Sequence, residues 1–222
     1  MPAKPRIVLL HATPVAIQPI RLAMEQIWPE AEAVNLLDDG LTIDRARDGA
    51  VLSAGLIERF LDFGLYAGRI GADGILVTCS AFGPAIDALA RQVPIPVLKP
   101  NEAMFREAIA AGGRIGMLAT FAPAISTMED EFREFARETS NAATLDTLLV
   151  AHAIDLLRKG DAQSHNRLVA ERAPELAHHD AIMLAHFSTS LAAEAVRSVV
   201  GIPVLSAPDS AVRRMQTLVT GG

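Results

Sequence analysis

The 222-residue sequence contains an internal repeat of nearly half its length. Residues 73–79 (DGILVTC) align without a gap with residues 180–186 (DAIMLAH), at an offset of 107 residues (180 minus 73). Residues 95–98 match residues 202–205 at the same offset. This period is far longer than the roughly 20–50 residues of solenoid repeats, so the sequence predicts two duplicated lobes.

The beginning of each half is also similar. Residues 6–7 resemble residues 114–115 at an offset of 108 (114 minus 6), and residues 12–13 fall on residues 119–120 at an offset of 107 (119 minus 12). Each half is therefore predicted to begin with a strand that ends near a threonine.

Short apolar runs alternate with longer amphipathic stretches, which predicts an α/β fold. Most of the runs are too uniformly apolar to have a solvent face, so each lobe is expected to be a mostly parallel sheet flanked by helices. The predicted strands are 5–11, 32–37, 73–78, 95–98, 114–119, 144–149, 180–185 and 202–205. The predicted helices are 15–28, 49–69, 83–92, 101–111, 122–138, 150–159, 163–178 and 189–199, followed by a last helix.

The two pseudosymmetric lobes are predicted to be residues 1–98 with 207–222, and residues 99–206, with the active site in the cleft between them. Prolines near residues 99–100 and 206–208 mark the expected joints. The prolines at positions 96 and 203 favour edge or strand-start positions for the short strands that contain them.

Composition excludes several classes of protein. The formal charge is −6, and no basic run is present to neutralise phosphates, which argues against nucleic-acid binding. No apolar run reaches the roughly 18 residues of a membrane span. One cysteine permits no internal disulfide, and neither CxxC nor HExxH occurs, so no metal site is expected. We expect a soluble, cytoplasmic protein with a small-molecule partner.

Candidate site residues lie at predicted strand ends, where ligands bind in open α/β sheets. Cys79 precedes a predicted helix whose amide N–H groups favour a thiolate or a substrate carboxylate. Its alternative role is a small buried apolar residue. His186, an acid or base near neutral pH, is alternatively a hydrogen-bonded core histidine. The match of Cys79 to His186 across the repeat favours the functional interpretation of both.

Hydroxyl groups near the same strand ends are candidate donors to a substrate carboxylate, or else ordinary helix N-caps. They belong to Thr13, Ser80, Thr120 and Ser188.

His11 ends the first strand and is expected to line the same cleft. Two further polar clusters, residues 38–39 and 178–180, are predicted to be solvated turns rather than metal sites.

Three segments resemble landmarks of the aspartate/glutamate/hydantoin racemase superfamily, and the likeness spans nearly the whole chain. They are residues 75–80 (ILVTCS), 115–120 (IGMLAT) and 183–188 (MLAHFS). The resemblance implies two pseudosymmetric lobes with the active site between them, no cofactor, and a homodimer. It also implies catalysis by two residues flanking the substrate α-carbon, of which one removes a proton and the other delivers one to the opposite face.

The racemases use two cysteines for this purpose. Cys79 matches the first of them, whereas His186 stands where the second is expected. Thr120 matches a threonine near the substrate carboxylate, and Ser80 follows the first cysteine as in many members. Pro123 stands where a second threonine is common, so part of the carboxylate site is expected to differ.

We therefore expect a cofactor-independent racemase- or epimerase-like isomerase in which Cys79 and His186 are the acid/base pair. It would act on an amino acid, a hydantoin or a related small acid, next to a carboxylate or carbonyl. One alternative is a decarboxylase of a malonate-type acid, or a cis–trans isomerase of an unsaturated diacid, on the same fold. Another alternative is a catalytically inactive protein that binds small acids.

Overall fold

The computed structural model describes residues 4–48, 52–122, 125–139 and 141–221. The chain divides into two units. The first comprises Met1–Asn101 and Ala211–Gly222, and the second is Glu102–Ser210. The boundaries expected from sequence, after residues 98 and 206, lie a few residues before these divisions.

Each unit contains a four-stranded, all-parallel sheet, and the α/β architecture predicted from the sequence is confirmed. In the first unit the strand order is β2-β1-β3-β4, with β1 Arg6–His11, β2 Glu32–Leu37, β3 Gly74–Val77 and β4 Val97–Leu98. In the second unit the order is β6-β5-β7-β8, with β5 Arg114–Ala119, β6 Thr144–Leu149, β7 Ala181–Leu184 and β8 Val204–Ser206. Pro96 and Pro203 directly precede the edge strands β4 and β8, as predicted.

Helices connect the strands in both units. Those of the first unit are α1 Ile17–Ile27, α2 Gly40–Arg47, α3 Ala54–Arg69 and α4 Gly83–Gln92. Those of the second unit are α5 Glu102–Ala111, α6 Ile125–Glu138, α7 Ala153–Arg158, α8 Ala162–Arg172, α9 His186–Thr189 and α10 Ala193–Arg197. The last helix, α11, is Ala207–Thr220. The predicted helices 49–69 and 122–138 include residues 49–51 and 123–124, which lie outside the described residues, and the predicted helix 189–199 is interrupted by a 3₁₀ turn.

Strand register confirms the internal repeat. Ile7 pairs with Gly74 in the first sheet, and Ile115 pairs with Ala181 in the second. The offset is therefore 108 residues in the first strand (115 minus 7) and 107 in the third (181 minus 74). The register places Ala12, rather than Thr13, opposite Thr120, so the predicted match of the two threonines is displaced by one residue.

The aspartates that begin the repeated segments close the amino-terminal edge of each sheet. The Asp73 carboxylate accepts a hydrogen bond from the Arg6 backbone N at 2.7 Å, and the Asp180 carboxylate accepts one from the Arg114 backbone N at 2.8 Å. This carboxylate bond, together with the interaction of its side chain with Arg114, lowers the pKa of Asp180. These two repeated residues therefore have a structural role.

Apolar side chains cover the central strands of the first sheet. Val8 and Ile75 are fully buried, and the stacked rings of Phe60 and Phe82, 5.3 Å apart, belong to the same core. Helix α3 approaches α4 closely at Gly64, where a Cβ atom would lie 2.3 Å from a methyl carbon of Leu89.

In the second unit a similar core joins the strands β5 and β7 to the helices α8 and α10. It contains Leu118, Ile182, Leu184, Val169 and Val196, all fully buried. The packed central strands therefore hold their carboxyl ends in fixed positions in each unit.

The sequence predicts no helix or strand between residues 37 and 49, whereas the structure has α2 there. Besides its one fully buried side chain, Leu41, polar interactions hold this helix. Arg59 donates to Asp38 at 2.7 and 2.9 Å and to Asp44 at 2.6 Å, and the Thr42 hydroxyl donates to the Ala12 carbonyl at 2.9 Å. The last bond ties α2 to the carboxyl end of β1.

None of the helices within the described ranges is long and apolar enough to cross a membrane.

Candidate functional site

Cys79 lies just beyond the carboxyl end of β3. The Thr78 backbone N donates to the Leu10 carbonyl at 3.1 Å, so Cys79 is the first residue after the ladder. It is half-buried and precedes a 3₁₀ turn, Ser80–Phe82, that leads into α4. The amide groups at this strand-to-helix turn are the donors that favour a thiolate or a bound carboxylate.

His186 has the equivalent position in the second unit. The Ala185 backbone N donates to the Leu118 carbonyl at 2.9 Å, the same bond that Thr78 makes to Leu10. Since the repeat offsets relate these two bonds, the alignment of Cys79 with His186 holds at the level of backbone hydrogen bonding.

His186 has a left-handed backbone conformation, with φ of 66°. Among the described non-glycine residues, the only other positive φ belongs to His152. Such conformations are energetically unfavourable for residues with a Cβ atom, and they concentrate at functional sites. Here the conformation turns the chain from β7 directly into α9 and places the imidazole at the strand end.

One nitrogen of the His186 ring has no hydrogen-bond partner in the part of the chain that the structure describes. Its Nδ1 is buried and makes no hydrogen bond to any of the described residues. Burial lowers the pKa of His186 below the ordinary 6.5, an effect that the Ala185 backbone partly opposes. The imidazole is therefore neutral at pH 7, and a neutral imidazole can accept a proton.

His11 is fully buried, and both of its ring nitrogens are engaged. Nδ1 lies 2.8 Å from Thr78 Oγ1, and Nε2 lies 3.0 Å from Asn35 Oδ1. Burial lowers the pKa of His11. The expectation that His11 binds substrate is not supported by this geometry, because neither nitrogen is left for a ligand.

Thr120 follows β5 and is tied to α9, the helix that carries His186. Its hydroxyl lies 3.0 Å from that of Thr189, and the two residues are 2% and 0% exposed. Either oxygen can donate to the other. If Thr189 donates, the proton of Thr120 is left for a ligand.

The other candidate hydroxyl residues, Thr13, Ser80 and Ser188, are half-buried. Thr13 has the N-cap position of the turn Pro14–Ala16, but its side chain makes no capping hydrogen bond there. The alternative role of a helix cap is therefore absent at Thr13. Pro123, which stands at the place of a family threonine, lies outside the described residues.

Two further histidines have structural environments. The sequence predicts a solvated turn at His179, but the structure buries this residue, with Nδ1 3.0 Å from the Leu176 carbonyl and Nε2 2.8 Å from Asp146. His165 is fully buried on α8. In the described part of the chain, no group of three or more His, Cys, Asp or Glu side chains could hold a metal ion.

Three residues near the site were missed from sequence: Asn35, Thr78 and Thr189. Thr78 precedes Cys79 inside the repeat, and its replacement by Ala185 in the second copy was a usable signal. Pairing between different strands and turns brings Asn35 and Thr189 to their partners, so their local sequence carries no sign of the contacts.

Comparison with known proteins gives a family and a fold. The model of the Asp/Glu/hydantoin racemase family matches residues 29–173, well over half of the chain. No sequence among the curated proteins matches.

Several solved structures are similar along the whole chain. Allantoin racemase from Klebsiella pneumoniae has a TM-score of 0.72 and 18% identity, and covers 99% of this chain and 89% of its own. An aspartate racemase homologue from Pyrococcus horikoshii OT3 has a TM-score of 0.71 and 15% identity, covering 97% and 99%. A glycine-to-cysteine mutant of arylmalonate decarboxylase has a TM-score of 0.68 and 18% identity, covering 98% and 94%. At these identities the likeness establishes the fold alone.

Proposed function

Because the chain belongs to the Asp/Glu/hydantoin racemase family, we propose that it is a cofactor-independent isomerase acting at a carbon next to a carboxylate or carbonyl. The substrate class is an amino acid, a hydantoin or a related small acid. The observation that carries the proposal is the equivalence of Cys79 and His186, one at the end of the third strand of each sheet.

The proposed reaction needs one base and one acid. His186 removes the proton from the α-carbon, and the electron pair of the broken C–H bond moves onto the adjacent carboxylate or carbonyl as an enolate. The Cys79 thiol then delivers its proton to the opposite face of the planar carbon. The enzyme is left with an imidazolium and a thiolate, which are the starting groups for the reverse reaction.

The histidine makes this pair asymmetric. The lowered pKa of His186 favours the neutral ring. At neutral pH the histidine is therefore in the form needed for the direction in which it acts as the base. The opposite direction starts from the imidazolium. Because each direction starts from a different ionisation state of the pair, the asymmetry makes the rates of the two directions differ. It does not change the equilibrium between enantiomers.

Hydroxyl groups at the strand ends are proposed to hold the substrate carboxylate. Hydrogen bonds to a carboxylate are stronger than neutral ones, and they also stabilise the enolate that forms next to it. The proposed donors are Thr13, Ser80, Thr120 and Ser188. The half-buried state of Thr13, Ser80 and Ser188 is compatible with this role.

The test is deuterium incorporation at the α-carbon in D₂O, measured by NMR across amino acids, hydantoins and arylmalonates. Wild-type protein should exchange at least one class, and Cys79→Ala should slow that exchange on the order of a hundredfold or more. Exchange by Cys79→Ala at the wild-type rate would overturn the assignment. If no class exchanges while the substrates still raise the melting temperature, the protein binds small acids without turning them over.

A decarboxylase is the second candidate, favoured by the presence of a single cysteine. Loss of CO₂ from a malonate-type acid leaves the same kind of enolate, which needs only one proton donor. Decarboxylases related to this family keep one catalytic cysteine, although on the opposite lobe. This candidate predicts CO₂ release from arylmalonates and no α-exchange of any amino acid or hydantoin.

A further inference from the structure

A chain of hydrogen bonds, buried at His11 and Thr78, ends at the residue before Cys79. It runs from Asn35 on β2 through His11 on β1 to Thr78, the residue before the cysteine. The Thr78 backbone N is bonded to Leu10 as well, so this residue is held to β1 by both its main chain and its side chain.

The direction of the hydrogen bonds follows from the chemistry of the groups. The Asn35 oxygen can only accept, so His11 Nε2 carries a hydrogen and donates it. Burial lowers the pKa of His11 and keeps the ring neutral, so Nδ1 has no hydrogen and accepts the Thr78 hydroxyl proton. The Leu10 carbonyl competes for that proton from 3.4 Å, against 2.8 Å for the ring nitrogen, and the shorter contact is the stronger one.

The second unit shows that this chain of bonds is not required to form the turn. The positions equivalent to His11 and Thr78 are Ala119 and Ala185, which have no polar side-chain atoms. The Ala185 backbone N nevertheless makes the same bond to Leu118. The His11–Thr78 contact therefore belongs to the copy of the turn that carries the cysteine, whereas the second unit ties its turn through Thr120 and Thr189.

We propose that His11 is a positioning residue. Together with Asn35 it holds the Thr78 side chain in place, and it thereby fixes the orientation of the Cys79 thiol at the strand end. This inference rests on the proposed function for Cys79. It replaces the expected substrate-binding role of His11, since the histidine acts through Thr78 and not on the ligand.

The test compares Thr78→Val, which keeps the shape but removes the hydroxyl, with Thr78→Ser, which keeps the hydroxyl. The rate of Cys79 alkylation by iodoacetamide is measured from pH 5 to 10, together with kcat and KM for α-exchange and the melting temperature. Thr78→Val should change the alkylation profile and lower kcat on the order of tenfold, with KM nearly unchanged, and Thr78→Ser should restore both.

Controls separate positioning from simple loss of stability. Thr147→Val removes a hydroxyl bond to Glu129 in the second unit and should leave alkylation unchanged. Asn35→Ala, at an exposed position on β2, repeats the test if Thr78→Val does not fold, and should shift alkylation in the same direction. An alkylation profile equal to wild type in a folded Thr78→Val or Asn35→Ala protein would overturn the inference, even if the melting temperature falls. A changed profile in a protein that shows no exchange would keep the positioning role and reject the proposed function.

Discussion

Thr120 Oγ1 lies 3.0 Å from Thr189 Oγ1, and this buried contact joins the end of β5 to the helix that begins with His186. In the first unit the corresponding connection is the contact of His11 with Thr78, 2.8 Å long. Both units thus connect the end of the first strand to the turn after the third strand, but with different residues.

The Thr120–Thr189 contact leads to a prediction for substrate affinity. Thr189→Val leaves the buried Thr120 hydroxyl without its partner, which costs about 1–3 kcal/mol of unfolding free energy. We also expect KM for α-exchange to rise several-fold, because Thr120 no longer has a fixed orientation. Urea unfolding and steady-state kinetics measure the two effects. Thr189→Ser should recover both, and an unchanged KM in Thr189→Val would remove Thr120 from the carboxylate site.

A pair of histidine variants tests whether His186 influences the cysteine. His186→Asn removes the imidazole but retains a residue that tolerates the left-handed conformation. If the proposed acid/base pair acts on one substrate, we expect this variant to change the pH profile of Cys79 alkylation. The matched control is His152→Asn, at the other left-handed histidine, which is exposed. Identical pH profiles for wild type and His186→Asn would show that His186 does not influence the reactivity of Cys79.

Acid should destabilise the protein through its buried histidines. Burial lowers the pKa values of His11, His165 and His186 in the folded state below the ordinary 6.5. The unfolded chain therefore binds protons more readily, so stability is complete above about pH 6.5 and falls as the pH drops from there toward the folded-state pKa values. Each pKa unit of lowering corresponds to about 1.4 kcal/mol.

His165 allows this pH effect to be measured apart from the candidate site. Its Nε2 is buried and makes no hydrogen bond to the described residues. Urea unfolding at pH 7.5 and pH 5 should show a smaller loss of stability for His165→Asn than for wild type. Val169→Ala, a buried apolar change on the same helix, should lower the unfolding free energy equally at both pH values. If the unfolding free energy fell equally between pH 7.5 and pH 5 in His165→Asn and in wild type, burial of His165 would not contribute to the loss of stability in acid.

Two glycines of α3 should respond in opposite directions to the same substitution. Gly64→Ala places a methyl group against Leu89 and should destabilise the protein by about 1–3 kcal/mol. Gly68→Ala meets no atom within 4 Å and should stabilise it by up to about 1 kcal/mol, because alanine favours the helix. Thermal unfolding of both variants provides the comparison, and a stabilised Gly64→Ala would show that α3 and α4 are less closely packed.

The strands were predictable from sequence because apolar runs are a local signal, and the repeat was predictable because its two copies align without a gap. The equivalence of Cys79 and His186 followed from the same alignment. Helix α2 was not predictable, because it has a single fully buried apolar side chain, Leu41, and its ion pair with Arg59 joins residues that are distant in sequence. The bonds of His11 and of Thr189 were missed for the same reason. The left-handed backbone of His186 was not predictable, since the conformation is uncommon even for histidine, which adopts it more often than most non-glycine residues.

The most direct test of the acid/base pair is a double-mutant cycle on α-carbon deuterium exchange in D₂O, with wild type, Cys79→Ala, His186→Asn and the double variant. If the two residues act as one catalytic unit, each single change lowers the exchange rate on the order of a hundredfold or more, and the double variant is no slower than the slower single variant. Exchange at the wild-type rate in either single variant would contradict the two-base account.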